Sequence, residues 1–187
     1  MKLKNENIQQ KVQQIKAILF DVDGVLTDGG IIYDDTGGEV KKFNVKDGQI
    51  VSPLRQSGFI IGAITGRLSP IVKRRCEELR LDFHKHGVSD KLIEYNNFKQ
   101  EFNLLDDNIA YIGDDIIDLS ILVRCGLAIA PADSRDYIQE NVDIVTASKG
   151  GDGVFRDVAD YILHQQGKLS LIIKNLKGNH NDNESII

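Results

Sequence analysis

The chain has 187 residues, 41% of them hydrophobic and 27% charged, which suits one globular domain with its own core. Its formal net charge of -5 gives no overall basic surface for a nucleic acid, although a small anion can still find a local positive pocket. No apolar run is long enough to span a membrane, and the start, "MKLKNENIQQKVQQIK", is polar and unlike a secretory signal, so a cytoplasmic location is expected.

That polar start reads as helical. "AILF" (17–20) is the first buried strand, and it runs straight into Asp21, Val22, Asp23 and Gly24. "GIIYDDTGGEVKKFNV" (30–45) has two alternating runs around "DDTGG", a β-hairpin signal, and its outer face mixes Ile31, Tyr33, Val40 and Phe43 with charges. A helix is expected at 48–57, a strand at 59–65, a helix at 69–80 and a strand at 81–84. The pattern continues with a helix at 90–103, a strand at 108–113, a helix at 115–124 and a strand at 126–130. It ends with a helix at 134–140, a strand at 142–146 and a helix at 153–166. This alternation predicts an α/β fold, a Rossmann-like parallel sheet flanked by helices, with its ligand crevice at the carboxyl ends of the strands. One domain over 1–167 is expected, carrying the hairpin as a small insertion and no cap domain. A tail over 168–187 follows, its last eight or so residues mobile. Cys76 and Cys125 read as reduced core thiols.

The chemistry sits at the strand exits. In an extended chain residues i and i+2 point the same way, so Asp21 and Asp23 can face one site, and Gly24 lets the backbone turn at once. Two carboxylates on one face repel each other unless a cation lies between them, and a hard divalent ion such as Mg²⁺ is the natural partner. "YIGDDIIDLS" (111–120) adds Asp114 and Asp115, with Asp118 one helical turn after Asp114. Either cluster alone reads as helix caps; the two together point to a metal. "AITGR" (63–67) offers the Thr65 hydroxyl and the Gly66 N–H to phosphate oxygens, with an N-cap as the plainer role for Thr65. "GVSDKL" (87–92) sets Lys91 in the first turn of a helix, where a single lysine is usually solvated.

In this order the motifs "DVDGVLTDG", "ITGR", "SDK" and "GDDIID" resemble those of the haloacid dehalogenase superfamily of aspartyl-phosphate phosphatases, over residues 15 to 167. With "FNVKDG" and "GGDGVFRDV" the chain resembles more narrowly the capless 3-deoxy-D-manno-octulosonate 8-phosphate phosphatases of lipopolysaccharide biosynthesis. The resemblance implies Asp21 as nucleophile and Asp23 as general acid and base. It implies Mg²⁺ held by Asp21, the Asp23 backbone carbonyl and Asp114, and water oriented by Asp115 or Asp118, which the sequence leaves open. Thr65 and Lys91 would complete the catalytic set.

A phosphorylated sugar acid also carries a carboxylate. Arg67 is the best candidate to meet it, with Arg75 implied by the resemblance and Arg156 a weaker candidate. "NVKDG" (Asn44, Val45, Lys46, Asp47 and Gly48) is expected to line the substrate pocket together with Asp23, Gly66 and Lys91. Ser52 stands where the family commonly has an arginine. His84 and His86 look like a metal pair, but no third nitrogen or sulfur ligand is evident, so they read as plain strand-end histidines. The resemblance further implies a homotetramer in which hairpins pack together. Phosphatase action on a nine-carbon keto acid phosphate, or a non-catalytic oligomerisation module, are the competing readings.

Overall fold

The computed structural model describes residues 1–4 and 7–178. Among them a seven-stranded sheet has the order β1-β9-β8-β7-β2-β5-β6. Its six inner and far-edge strands are parallel: β2 (Ala17–Phe20), β5 (Ile60–Ile64), β6 (Phe83–Lys85), β7 (Ile109–Ile112), β8 (Leu127–Ala130) and β9 (Ile144–Val145). The strand-helix alternation of the sequence is therefore the alternation of the fold. One strand departs from it: β1 (Lys2–Leu3) pairs antiparallel with β9, where the sequence suggests only a helical start. Two exposed residues carry no periodicity, so nothing in their pattern announces a strand.

The central strand β2 shows why the layers form. Ala17 and Leu19 point into one apolar cluster, and Ile18 and Phe20 into the other. All four are buried, as a parallel strand covered on both faces requires. The Ile18 face is covered by α1 (Ile8–Gln14), α3 (Val51–Gln56), α4 (Pro70–Glu78) and α8 (Val154–Gln165), and α2 (Val45–Gln49) leads into α3. The Leu19 face is covered by α5 (Lys91–Phe102), α6 (Leu119–Leu122) and α7 (Asp136–Gln139). The helix expected over 48–57 is two helices, α2 and α3, joined at Ile50. The one expected over 115–124 is a 3-10 turn, Ile116–Asp118, leading into the short α6.

The sheet order reverses between β2 and β7, so a crevice opens outside their carboxyl ends. The hairpin, β3 (Ile32–Tyr33) and β4 (Glu39–Val40), stands beside that crevice. Ile31, Ile32, Tyr33 and Val40 are exposed on it. Phe43 is not part of that outer face: it packs against the core, with the Arg75 guanidinium 5.6 Å from its ring centroid. The first part of the tail forms α9 (Leu169–Gly178), which seats Leu169 and Ile172 on the core. The mobility expected of the last eight or so residues falls outside the described residues.

Candidate active site

Asp21 follows β2 directly and is 4% exposed. Its Oδ1 accepts the Val22 N–H at 2.7 Å, and its Oδ2 lies 2.8 Å from Lys91 Nζ. Lys91 is no surface lysine. It starts α5 behind the N-cap Asp90, is 2% exposed, and reaches Asp118 Oδ1 at 2.7 Å on its other side. Burial alone would weaken its hold on the proton; the two carboxylates outweigh that and hold its charge more firmly than in water.

The structure separates Asp115 from Asp118, which the sequence leaves as alternatives. Asp118 is fully buried, and its two oxygens accept from Lys91 Nζ, the Tyr111 hydroxyl at 2.6 Å and the N–H groups of Asp114 and Asp115. Those bonds fix Lys91 and shape the loop after β7. Asp115 is exposed and borders the crevice, its Oδ1 accepting the Ile116 N–H.

Asp114 shows what the cluster lacks. Its Oδ1 is buried without a hydrogen-bond partner, and burial, then the charges of Asp21 and Asp118, push its carboxyl up to about 8. Burial also pushes Asp21 up to about 7 despite Lys91. One ammonium thus serves three buried or half-buried carboxylates, and Asp21, Asp114 and Asp118 each offer an oxygen within 4.8 Å of the others. This donor set fits a hard divalent cation. Gly24, at φ +85°, guards the arrangement: a Cβ there would stand 2.0 Å from Asp114 Oδ2.

A consequence follows for protein stripped of divalent cations. The folded-state values of about 7 and about 8 lie above the ordinary 3.8, so between pH 4 and 8 the folded chain holds more protons than the unfolded one. Stability is therefore present in full below pH 4 from these two groups and is lost as pH rises toward 8. The melting temperature in chelator should drop by at least about 2–4 °C across that window, and a divalent cation should flatten the slope. A chelated sample that gains stability from these groups with rising pH would contradict the assignment.

Asp23 faces the same crevice as Asp21, while Val22 between them is buried. Its Oδ1 accepts from Lys41 Nζ at 2.5 Å and from the Thr27 hydroxyl at 3.3 Å, and its Oδ2 is buried without a hydrogen bond. Lys41, whose side chain is wholly buried, was not among the site residues expected from the sequence; nor was Glu39. Glu39 accepts from Arg67 at 3.0 Å and from the Ser69 hydroxyl at 2.6 Å, and lies 3.6 Å from Lys41. The hairpin is thereby tied by charge to Asp23 on one side and to the loop after β5 on the other. The i, i+2 spacing of Glu39 and Lys41 put them on one face of a strand, a signal that was legible; their partners were not.

Thr65, Gly66 and Arg67 all line the crevice, which has a volume of about 440 Å³. Thr65 is not the cap of α4. Ser69 takes that place by accepting the Val72 N–H, with Pro70 in the first turn. Arg67 stands at the mouth, partly exposed and already paired with Glu39.

The remaining substrate candidates lie apart from this crevice within the chain. Asn44 caps α2 by accepting the Lys46 N–H, and buried Asp47 accepts the Arg156 N–H, joining α2 to α8. Val45 and Lys46 are exposed. Gly48 lies against Arg75, whose terminal nitrogen would be 2.7 Å from a Cβ there. Arg75 itself stacks on Phe43 and approaches Glu78 at 3.6 Å. Arg156 pairs with Asp160 at 2.7 Å. Ser52 lines a separate pocket with Gly48 and Arg55. Asn44 Oδ1 is used in the cap of α2 and Asp47 Oδ1 in docking α8, while Asp47 Oδ2 is buried without a hydrogen-bond partner.

Comparison with known proteins agrees with this geometry. A family of haloacid dehalogenase-like hydrolases matches residues 80–157. The 3-deoxy-D-manno-octulosonate 8-phosphate phosphatase KdsC of Haemophilus influenzae is 38% identical over 164 residues, 88% of this chain and 91% of that protein. The crystal structure of the Moraxella catarrhalis 3-deoxy-D-manno-octulosonate 8-phosphate phosphatase, in complex with magnesium ion, phosphate ion and KDO, is similar with a TM-score of 0.88 and 36% identity. That match covers 92% of this chain and 99% of the other. The cobalt-bound form of the Haemophilus influenzae phosphatase gives a TM-score of 0.83 at 38% identity, covering 87% of this chain and 95% of that one.

Proposed function

The chain belongs to the 3-deoxy-D-manno-octulosonate 8-phosphate phosphatase family of haloacid dehalogenase-like hydrolases and is a phosphoric monoester hydrolase, and from that premise we propose that it releases phosphate from 3-deoxy-D-manno-octulosonate 8-phosphate through an aspartyl-phosphate. The observation that carries this reading is the buried Asp21–Lys91–Asp118 row beside the uncompensated Asp114.

On this reading an Asp21 oxygen attacks phosphorus, and the bond from phosphorus to the sugar oxygen breaks. Asp23 acts first as general acid, giving a proton to the leaving oxygen. It then takes a proton from the water that attacks the aspartyl-phosphate, so that phosphate leaves and Asp21 is restored. Lys91 holds charge against the phosphoryl oxygens, and Thr65 and Gly66 offer them hydrogen bonds. Asp21, Asp114 and the Asp23 carbonyl would hold Mg²⁺, which supplies the positive charge that the three acids and a phosphate dianion together require. Asp115, with a carboxylate free of the Lys91 network, faces the crevice to orient water. Arg67 meets the sugar carboxylate by exchanging part of its pairing with Glu39. The freed sugar acid then feeds lipopolysaccharide assembly in the cytoplasm.

A panel of phosphorylated sugar acids tests the reading, with Mg²⁺ and with chelator. The eight-carbon substrate should be turned over fastest, with no turnover in chelator. Preference for a nine-carbon keto acid phosphate would move the substrate, and full activity after verified metal removal would overturn the metal assignment.

The open crevice needs further walls to select one small sugar acid, and we propose that a homotetramer supplies them. The exposed Ile31, Ile32, Tyr33 and Val40 support this reading as a contact between hairpins. Glu at Ile31 and Val40 together should reduce the assembly in light scattering and lower discrimination within the panel. A wild-type monomer with full selectivity would defeat the proposal.

A further inference from the structure

A second group of metal-ligating side chains lies away from the acidic crevice. His84 is the middle residue of β6 and His86 follows the strand, so the two side chains leave the same face of the sheet. That face is covered by α4, the crossover from β5 to β6, and Cys76 projects from α4 into the same space. Phe83, the residue before His84, goes the other way into the α5 cluster.

The geometry is compact. His84 Nδ1 stands 2.9 Å from His86 Nε2, and one ligand atom from each of Cys76, His84 and His86 lies within 4.8 Å of the other two. Cys76 supplies the third ligand that the sequence did not reveal. It is a free thiol, 1% exposed. The Nδ1 of His86 is buried with no hydrogen-bond partner. A buried polar nitrogen without a partner is costly, and ligation is one way to offset that cost. Lys73 and Glu77 on α4 are the other charges acting on His86, and they lie 3.9 Å from each other. Glu77 and Arg75 are the charges acting on Cys76.

We propose that Cys76, His84 and His86 form a binding site for Zn²⁺ or a cation of the same borderline character, with a fourth position open to water. One sulfur and two imidazole nitrogens match zinc's ligand preferences and not those of Mg²⁺, so the two kinds of site sort their ions by chemistry. On binding, the Cys76 thiol loses its proton to solvent and the sulfur–metal bond forms, while each imidazole stays neutral and gives one lone pair. The imidazole that donates in the His84–His86 contact presents its other tautomer. Burial pushes the Cys76 thiol up to about 12 and holds His86 below its usual range, so the His86 imidazole enters ready and the thiol's proton must be displaced. The ion would clamp α4 to the end of β6. It would stand next to the loop whose Gly87 and Val88 N–H groups bond to the Arg67 and Thr65 carbonyls.

The test uses the full chain, reduced and metal-stripped, then saturated with Mg²⁺ to fill the acidic site. Co²⁺ is added as a spectroscopic probe. One equivalent should give the near-ultraviolet charge-transfer absorption of a thiolate–cobalt bond, and Zn²⁺ should abolish it. Cys76→Ala should lose the band, and Cys125→Ala should keep it. His84→Gln and His86→Gln, on half-buried side chains that spare the core, should each weaken Co²⁺ binding by at least about 10-fold. Zn²⁺ should also raise the melting temperature of the wild type and not that of the His84→Gln/His86→Gln double variant. No thiolate band in the wild type overturns the proposal. So does a band that survives in the double variant or disappears with Cys125.

Discussion

Asp21→Asn is expected to abolish phosphate release, by at least about 10⁴-fold in kcat, while the protein stays folded. Among the described residues lining the crevice, this carboxylate is the one whose two oxygens are both aimed by donors, the Val22 N–H and Lys91. Asp23 has the separate role of acid and base, with its Oδ1 held by Lys41 and Thr27. An amide has no charge to attack with and makes no acyl phosphate. The fold should tolerate the change: Lys91 keeps Asp118, and a buried carboxyl that burial disfavours is replaced by a neutral group of the same shape. In chelator at pH 8 the variant should therefore melt no lower than the wild type. Circular dichroism and phosphate release on one sample check both halves, and near-normal turnover in a folded variant would remove Asp21 from its role.

What the sequence disclosed depended on the range of each interaction. "AILF", "FIIGAIT" and "NIAYIG" could be read as buried strands because burial on both faces demands continuous apolar runs, and the acids after two of them stood out against that background. Pairing across the chain was less visible. A Glu and a Lys in a hairpin look like solvated charges until the fold brings Asp23, Arg67 and Ser69 to them. Asp118 was legible as one of two acids on a helical turn, but its commitment to Lys91 and Tyr111 depends on three segments meeting. Asn44 and Asp47 show the same limit: their place in a motif suggested substrate, and only the fold adds that one caps α2 and the other accepts the Arg156 N–H of α8. Cys76 sits eight and ten positions before the two histidines, on the crossover helix, so only the packing of α4 on β6 unites them.

Lys91→Met should damage both activity and stability, and the two losses should differ in their response to pH. The methionine fills much of the same volume but removes the only ammonium bonded to Asp21 and Asp118 among the described residues. Breaking a buried ion pair from one side costs about 3–5 kcal/mol, because the partner charge is left behind in a poor solvent for it. Here two carboxylates are left, with Asp114 beside them. The melting temperature at pH 8 should fall on the order of 10 °C. At pH 5 the fall should be smaller, since Asp21 and Asp114, already raised to about 7 and about 8, take up protons and relieve the repulsion. Turnover should drop by about 10²–10³-fold at every pH where the protein is folded, because the charge lost is one that meets the phosphoryl oxygens as they gain charge. A divalent cation should restore part of the stability, as it fills the same electrostatic deficit, but not the turnover, because it does not stand where the ammonium stood. If Lys91→Met kept the wild-type melting temperature at pH 8 and the wild-type rate, Lys91 would be a bystander in its own ion pairs, and the row from Asp118 through Lys91 to Asp21 would have to be read as framework alone.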